Sequence, residues 1–101
     1  MAIYKNISAS GTTTTTLITK EGNRGGAIKK ITISNSSSTI EPIVIVFIYD
    51  GTNTYTFTRT SIPVGAALVL EDNLSFDKST YDLKILTYHA SGTVDLTVII
   101  K

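Results

Sequence analysis

The chain has 101 residues, a length that suits one domain with one hydrophobic core. It contains no cysteine, so neither disulfides nor thiolate-bound metal can hold its fold together. The formal net charge of +1 gives no electrostatic reason to bind nucleic acid or an anionic membrane. Charged residues make up only 17% of the chain, and 17 threonines and 10 serines take their place. This composition favours strands and turns over helices.

The N-terminal quarter of the chain predicts two short strands. The first covers residues 1–10, and Gly11 is expected to break it. The threonine run at 12–16 is expected to be an extended edge or a loop, because β-branched residues disfavour helices. A strand resumes at 17–20. Residues 21–26 are rich in turn residues but lack the GxxxxGK[ST] pattern of a phosphate loop, so they predict a flexible connection.

The most informative segment is Ile43–Tyr49, a run of seven apolar residues. It follows a predicted strand at 27–34 and a loop at 35–39, and it ends at a turn that begins with Asp50. A strand with one covered face alternates apolar and polar residues, and this one does not. Both of its faces therefore need a partner, and the run is too short to span a membrane as a helix.

Alternate residues of this strand point to opposite faces. One set is Ile43, Ile45, Phe47 and Tyr49, and the other is Val44, Val46 and Ile48. We expect the first set to lie in the core and the second to form an exposed apolar patch, which monomers rarely tolerate. The pattern therefore predicts a homo-oligomer with Val44 and Val46 in the subunit contact, and their replacement by lysine should release soluble monomers.

The second half of the chain predicts four more strands separated by turns. The turn at 50–53 leads into a strand at 54–61 that completes a β-hairpin, with Tyr55 and Phe57 facing the core. The remaining predicted elements are a Pro-Gly corner at 62–65, a strand at 66–70, a loop at 71–80 held inward by Leu74 and Phe76, a strand at 81–88, a turn at 89–92 and a strand at 93–101.

Together these elements predict an all-β domain that covers residues 1–101, an antiparallel β-sandwich of seven or eight short strands. The sequence does not choose between jelly-roll-like and immunoglobulin-like strand orders. The predicted core consists of Phe47, Phe57, Leu68, Leu83, Val94, Leu96 and Val98. We expect Phe57→Ala to cost about 3–5 kcal/mol.

No residue pattern predicts catalysis, cofactor binding or a metal site, so the sequence does not indicate an enzyme. His89 is the single histidine and is expected to be a surface residue in a turn, since a Ser–His pair with Ser91 needs further groups. Asp72, Asp77 and Asp82 are oxygen ligands of the kind that calcium prefers, but their spacing is not that of an EF-hand. We expect them to cap turns, and we expect a chelator to leave the melting temperature unchanged.

Several turn and strand motifs carry a resemblance to a known family. The motifs are Asp50-Gly51-Thr52-Asn53-Thr54-Tyr55, the stretch from Ser61-Ile62-Pro63-Val64-Gly65 to Leu68-Val69-Leu70, Asn73-Leu74-Ser75-Phe76, and Tyr81-Asp82-Leu83-Lys84-Ile85. Over roughly residues 26–101 the chain resembles small β-sandwich structural proteins of tailed-phage virions, especially phages of marine bacteria. Val64 stands where that family usually has alanine. The resemblance implies a capsid decoration, tail or fibre component that often assembles as a trimer.

The expected function is therefore that of a virion structural protein that binds copies of itself and a capsid or tail protein. It would be made in the host cytoplasm, because Met1–Lys5 does not begin a signal peptide, and it would act without nucleic acid, membrane or cofactor. The alternative is a carbohydrate- or receptor-binding module. Tyr4, Tyr49 and Tyr88 could present flat rings to a sugar, although strand tyrosines usually lie at the boundary of a core.

Overall fold

The protein is seen in a computed structural model that describes residues 3–19, 28–71 and 80–101. The described residues form six β-strands in one hydrogen-bonded, antiparallel sheet. The strands are β1 (Ile3–Ile18), β2 (Lys30–Asn35), β3 (Ile43–Tyr49), β4 (Thr54–Ser61), β5 (Ala67–Glu71) and β6 (Asp82–Ile100). The predicted all-β, antiparallel class is confirmed, but two of the strands are much longer than the sequence pattern suggested.

The two long strands, β1 and β6, pair with each other along almost their whole lengths. Residues 3–10 of β1 pair with 93–100 of β6, and residues 12–18 pair with 83–88. Between these stretches Gly11 of β1 lies opposite residues 89–92 of β6. Gly11 (φ 64°) and Gly92 (φ 84°) adopt the left-handed conformation there. The expectation that Gly11 breaks the first strand is therefore wrong: it bends a strand that continues.

The bend divides the sheet into two four-stranded halves. In the half that we call the β3 sheet, residues 82–88 of β6 lie between β1 and β3, and β4 forms the other edge. In the half that we call the β2 sheet, residues 96–100 of β6 lie between β1 and β2, and β5 forms the other edge. Buried residues of both halves belong to one hydrophobic cluster, as expected for a sandwich.

The bend also decides the strand order that the sequence left open. Counting each bent strand as two segments gives eight segments in chain order, in line with the seven or eight strands expected. The first segment then pairs with the eighth, the second with the seventh, the third with the sixth and the fourth with the fifth. This nested pairing is the strand order of a jelly roll rather than of an immunoglobulin domain.

The core confirms most of the predicted buried residues and corrects two of them. Leu83, Val94, Leu96 and Val98 are at most 1% exposed, and Phe47 is buried. Phe57 and Leu68 are only partly buried. Phe57 is the extra residue of a β-bulge, because Val46 pairs with Thr58 while Phe47 pairs with Thr56. Its alanine variant should therefore cost less than the 3–5 kcal/mol expected of a fully packed ring.

Two short connections behave as their sequences predict. The corner before β5 closes through a hydrogen bond from the Ala66 amide to the Pro63 carbonyl (3.0 Å), with Gly65 at φ 76°. The hairpin between β3 and β4 closes through the Asp50 amide and the Asn53 carbonyl (3.2 Å). The predicted loop at 21–26 lies outside the described residues, as do residues 72–79 of the predicted loop at 71–80, with Leu74 and Phe76. Glu71, which was predicted to lie in that loop, is the last residue of β5. No helix in the described part of the chain is long and apolar enough to cross a membrane.

Candidate interaction surface

The outward side of the β3 sheet is unusually apolar for a solvent face. Cross-strand partners share a face, so the register determines which side chains lie together. Ile43 pairs with Tyr88, Ile45 with Leu86, and Phe47 with Lys84. We call this surface the apolar face; it consists of Ile43, Ile45, Phe47, Tyr49, Leu86 and Tyr88, with Arg59 and Lys84 as cations beside them. Four of the six are partly buried, Phe47 is buried, and Tyr88 is 50% exposed.

This arrangement reverses the predicted sides of β3. Val44 and Val46 are 0% exposed and Ile48 is buried, so this set lies in the core. The set that contains Ile43 and Ile45 faces outward instead. The pattern of seven apolar residues could not assign the sides, because both sets are apolar. Replacing Val44 and Val46 by lysine would therefore place two charges in the core and unfold the domain rather than release monomers.

The outward side of the β2 sheet has the opposite character. We call it the polar face; its outward residues on β1 and β6 include Asn6, Ser8, Ser10, Thr93, Asp95 and Thr97. These side chains bond to one another across the strands: Ser8 to Asp95 (2.9 Å), Ser10 to Thr93 (3.1 Å) and Thr97 to Asn6 (3.2 Å). One row of this face is apolar, where Tyr4 pairs with Ile99. The two outer faces of the sandwich thus differ in polarity.

A small concavity lies within the apolar face. Its volume is about 260 Å³, and it is lined by Thr14, Phe47, Tyr49, Thr54 and Lys84. The Lys84 ammonium lies 5.3 Å from the centre of the Tyr49 ring, a cation–π contact that holds the lysine beside the concavity. We call this concavity the socket. Its lining residues carry two aromatic rings, two threonine hydroxyls, the Tyr49 phenol and one cation.

A second, more polar concavity of about 410 Å³ lies beside the bend in β6, and His89 is one of its lining residues. The prediction that His89 is a surface residue is wrong, since its side chain is 7% exposed. Nε2 of His89 lies 2.6 Å from the Gly92 carbonyl oxygen. This hydrogen bond holds together residues 89–92, which lie between the two stretches of β6 that pair with β1. Nδ1 is buried without a hydrogen-bond partner in the described part of the chain.

The structure places the remaining site candidates as follows. Among the described residues no group of three His, Cys, Asp or Glu side chains could hold a metal ion. Asp72 and Asp77 lie outside those residues, so it stays a prediction that these carboxylates cap turns and do not bind calcium. Tyr4 is 71% exposed on the polar face, whereas Tyr49 is partly buried beside Lys84. The threonine run at 12–16 was expected to be an extended edge or a loop, and it forms part of the edge strand β1 in the β3 sheet.

Sequence reasoning missed Asn35, which is 2% exposed. Its Nδ2 donates to the carbonyls of Ile40 (2.8 Å) and Ile62 (2.9 Å), and its Oδ1 accepts from the Ser37 amide (3.0 Å). The amide thus fixes the two connections that lead into β3 and out of β4. Within the run Asn-Ser-Ser-Ser-Thr, nothing in the sequence distinguishes Asn35 from an ordinary loop residue.

The fold and these surfaces define the protein as a small jelly-roll β-sandwich. No family model matches the sequence, and no curated protein matches it. Among solved structures, the chain is similar to a chain in the structure of infectious bursal disease virus, Gx strain, with a TM-score of 0.45 and 13% sequence identity. The likeness covers 99% of this chain and 32% of that chain, so this chain spans about a third of its length.

Proposed function

We propose that the chain is a non-enzymatic virion structural protein of a tailed phage, which self-associates and docks on capsid or tail proteins. The observation that carries this proposal is the contrast between the two outer faces of the sandwich. Ile45 and Leu86 pair at the centre of an apolar surface, while Ser8 and Asp95 bond to each other on the polar one. A contiguous apolar outer face bordered by polar residues is typical of an interaction site.

The fold and composition support the same proposal. Jelly rolls occur in viral capsid proteins and in lectins, and neither use requires a catalytic site in the domain. The net charge of +1 produces little repulsion between copies of the chain. We propose a trimer specifically because the family that the sequence resembles often assembles as trimers; the apolar face supports an oligomer of any order.

Self-association is tested by light scattering on the purified protein and on two matched variants. Ile45→Lys adds a cation to the centre of the apolar face, and Thr97→Lys adds the same cation to the polar face. Both positions are partly buried and lie on strands between two neighbours. We expect the parent chain and Thr97→Lys to be oligomeric and Ile45→Lys to be monomeric. A monomeric parent chain at high micromolar concentration would contradict self-association.

The virion role is tested independently by mass spectrometry of purified phage particles from a lysate that produces the chain. We expect the chain at a fixed copy number relative to the major capsid or tail protein after density-gradient purification. Its recovery only in the soluble fraction would contradict the proposal.

A carbohydrate-binding module remains the second candidate, and one observation favours it. The rings of Tyr4 and Tyr88 are 71% and 50% exposed, and sugars stack on exposed aromatic rings. The two rings lie on different outer faces, so they cannot form one stacking platform. A glycan array distinguishes the candidates: binding that Tyr88→Ala abolishes in a monomeric chain would favour the module over assembly.

A further inference from the structure

The apolar face carries both halves of a self-complementary contact. The projecting half is Tyr88, which is 50% exposed and pairs with Ile43 on the outward side. The receiving half is the socket around Lys84. Both lie on β6, four residues apart, which is about 13 Å along a strand. Tyr88 and the socket therefore lie toward opposite ends of the same face.

The socket suits a single side chain with a ring and a polar tip. Its volume of about 260 Å³ is below the range of roughly 300–1,000 Å³ that small-molecule sites occupy. Phe47 and Tyr49 offer ring surfaces against which an aromatic side chain can stack. Lys84, Thr14 and Thr54 offer donors, and no lining residue is acidic, while Asp82 pairs with Tyr49 on the same face. A phenol meets both demands, because its ring is apolar and its oxygen accepts hydrogen bonds.

Symmetry allows both halves to be used at once. If two apolar faces meet with their β6 strands antiparallel, a two-fold axis at the level of Leu86 brings each Tyr88 opposite the Lys84 of the other copy. Leu86 lies midway between the two residues and pairs with Ile45, so the centre of such a contact is apolar. An isologous contact of this kind uses the same patch on both copies. A two-fold contact gives a dimer; in the trimer proposed above, the same pair would instead join each copy to the next around a three-fold axis.

We infer that the partner at the apolar face is a second copy of this chain, and that Tyr88 of each copy inserts into the socket formed by Thr14, Phe47, Tyr49, Thr54 and Lys84 of its neighbour. This inference rests on the proposed self-association and assigns its contact residues. Tyr88 is the anchor, and the socket is the site that it occupies. Exposed tyrosines that enter a partner's pocket are typical of the residues that dominate binding.

The test uses one variant for each half of the contact. Tyr88→Ala removes the projecting ring, and Thr14→Trp fills the socket from the exposed side of an edge strand. Each variant alone should weaken self-association at least 10-fold in Kd by sedimentation analysis. An equimolar mixture should associate more tightly than either variant alone, because Tyr88 of the Thr14→Trp chain can still enter the intact socket of the Tyr88→Ala chain.

Two control variants separate this contact from general surface effects. Tyr4→Ala removes an even more exposed tyrosine from the polar face, and Thr93→Trp places the bulk of Thr14→Trp on an exposed residue of the polar face. Both should associate as the parent chain does. Far-ultraviolet circular dichroism and melting curves should show that every variant retains the fold.

The outcomes distinguish this inference from the proposal on which it rests. An oligomeric parent chain whose Tyr88→Ala and Thr14→Trp variants associate with unchanged Kd overturns the tyrosine-and-socket contact and leaves self-association in place. A mixture that associates no better than the single variants overturns the pairing of the two halves. A monomeric parent chain overturns both. Saturable binding of a glycan at the socket of that monomer would assign the socket to a sugar instead.

Discussion

Lys5 donates a hydrogen bond from its Nζ to the backbone carbonyl oxygen of Thr16, 3.0 Å away, and so joins the two segments of the bent strand β1. Lys5 pairs with the buried Val98, so its side chain starts on the inward side of the β2 sheet, and Thr16 belongs to the β3 sheet. The bond therefore closes the sandwich along its β1 edge. A charge that points inward at an edge strand also discourages the addition of further strands.

Replacing Lys5 by methionine should lower stability and expose the edge. The loss of a partly buried, charge-assisted hydrogen bond is expected to cost about 1 kcal/mol, measured by urea unfolding. The variant should also aggregate faster on heating, followed by light scattering. Lys30→Met is the matched control, because the Lys30 side chain makes an exposed ion pair with Glu71 at 3.8 Å. Equal effects of the two substitutions would contradict a special role for Lys5.

Asn35 is the last residue of β2, and a serine-rich segment follows it. Replacing it should destabilise the domain more than a substitution in that segment would. Asn35→Ala leaves two carbonyls and one amide without their partner, at a cost of about 2–4 kcal/mol in urea unfolding. Asn35→Asp should be at least as harmful at neutral pH, because a carboxylate cannot donate to the carbonyls of Ile40 and Ile62. Ser38→Ala, on an exposed neighbour, is the control and should change little. A cost below about 0.5 kcal/mol for Asn35→Ala would show that water replaces the amide.

Alanine at the two bend glycines should have unequal effects. Both positions have positive φ, so alanine is strained at each, at a cost of about 1 kcal/mol or more. A Cβ at Gly92 would also lie 2.9 Å from Cδ1 of Ile40, whereas a Cβ at Gly11 would meet nothing within 4 Å. We therefore expect a larger fall in melting temperature for Gly92→Ala than for Gly11→Ala. The reverse order would mean that Ile40 moves aside without cost and that the strand at Gly11 is the tighter bend.

The hairpin between β3 and β4 should weaken in acid. Hydrogen bonds from the backbone amides of Asn53 (2.6 Å) and Thr52 (2.8 Å) to Oδ1 hold the pKa of Asp50 below its ordinary value. A lowered pKa means that the carboxylate stabilises the turn above the unfolded-state pKa and that this contribution is lost as pH falls through the folded-state pKa. Carbon-detected NMR titration should place the Asp50 midpoint below that of an unstructured aspartate. Asp50→Asn should remove the acid sensitivity of the backbone amides in the hairpin. A titration midpoint of Asp50 equal to that of an unstructured aspartate would contradict the two hydrogen bonds to its Oδ1.

The sequence alone was enough to predict the strand-rich composition of the fold, the hairpin between β3 and β4 and the corner at 62–65. The segments Ile43–Tyr49 and Thr54–Ser61 were predicted with the bounds that the structure shows, because runs of β-branched residues end there at glycine, proline and asparagine. Four of the seven predicted core residues are almost fully buried, and three of them, Leu83, Val94 and Leu96, have polar neighbours on both sides in the sequence. The sequence also predicts that the outward side of β3 is covered by another chain, and this stays a prediction.

The folded chain was needed to establish which side of β3 faces inward, how the strands are ordered and where His89 and Asn35 lie. Ile45 and Val46 are equally suited to a core, so their sides depend on the register with β6, a strand nearly 40 residues away. The four residues at 89–92 look like a turn locally, yet β1 pairs with β6 on both sides of them and makes one bent strand. The jelly-roll order and the apolar face both follow from these long-range pairings, because residues distant in sequence become neighbours only when the chain folds.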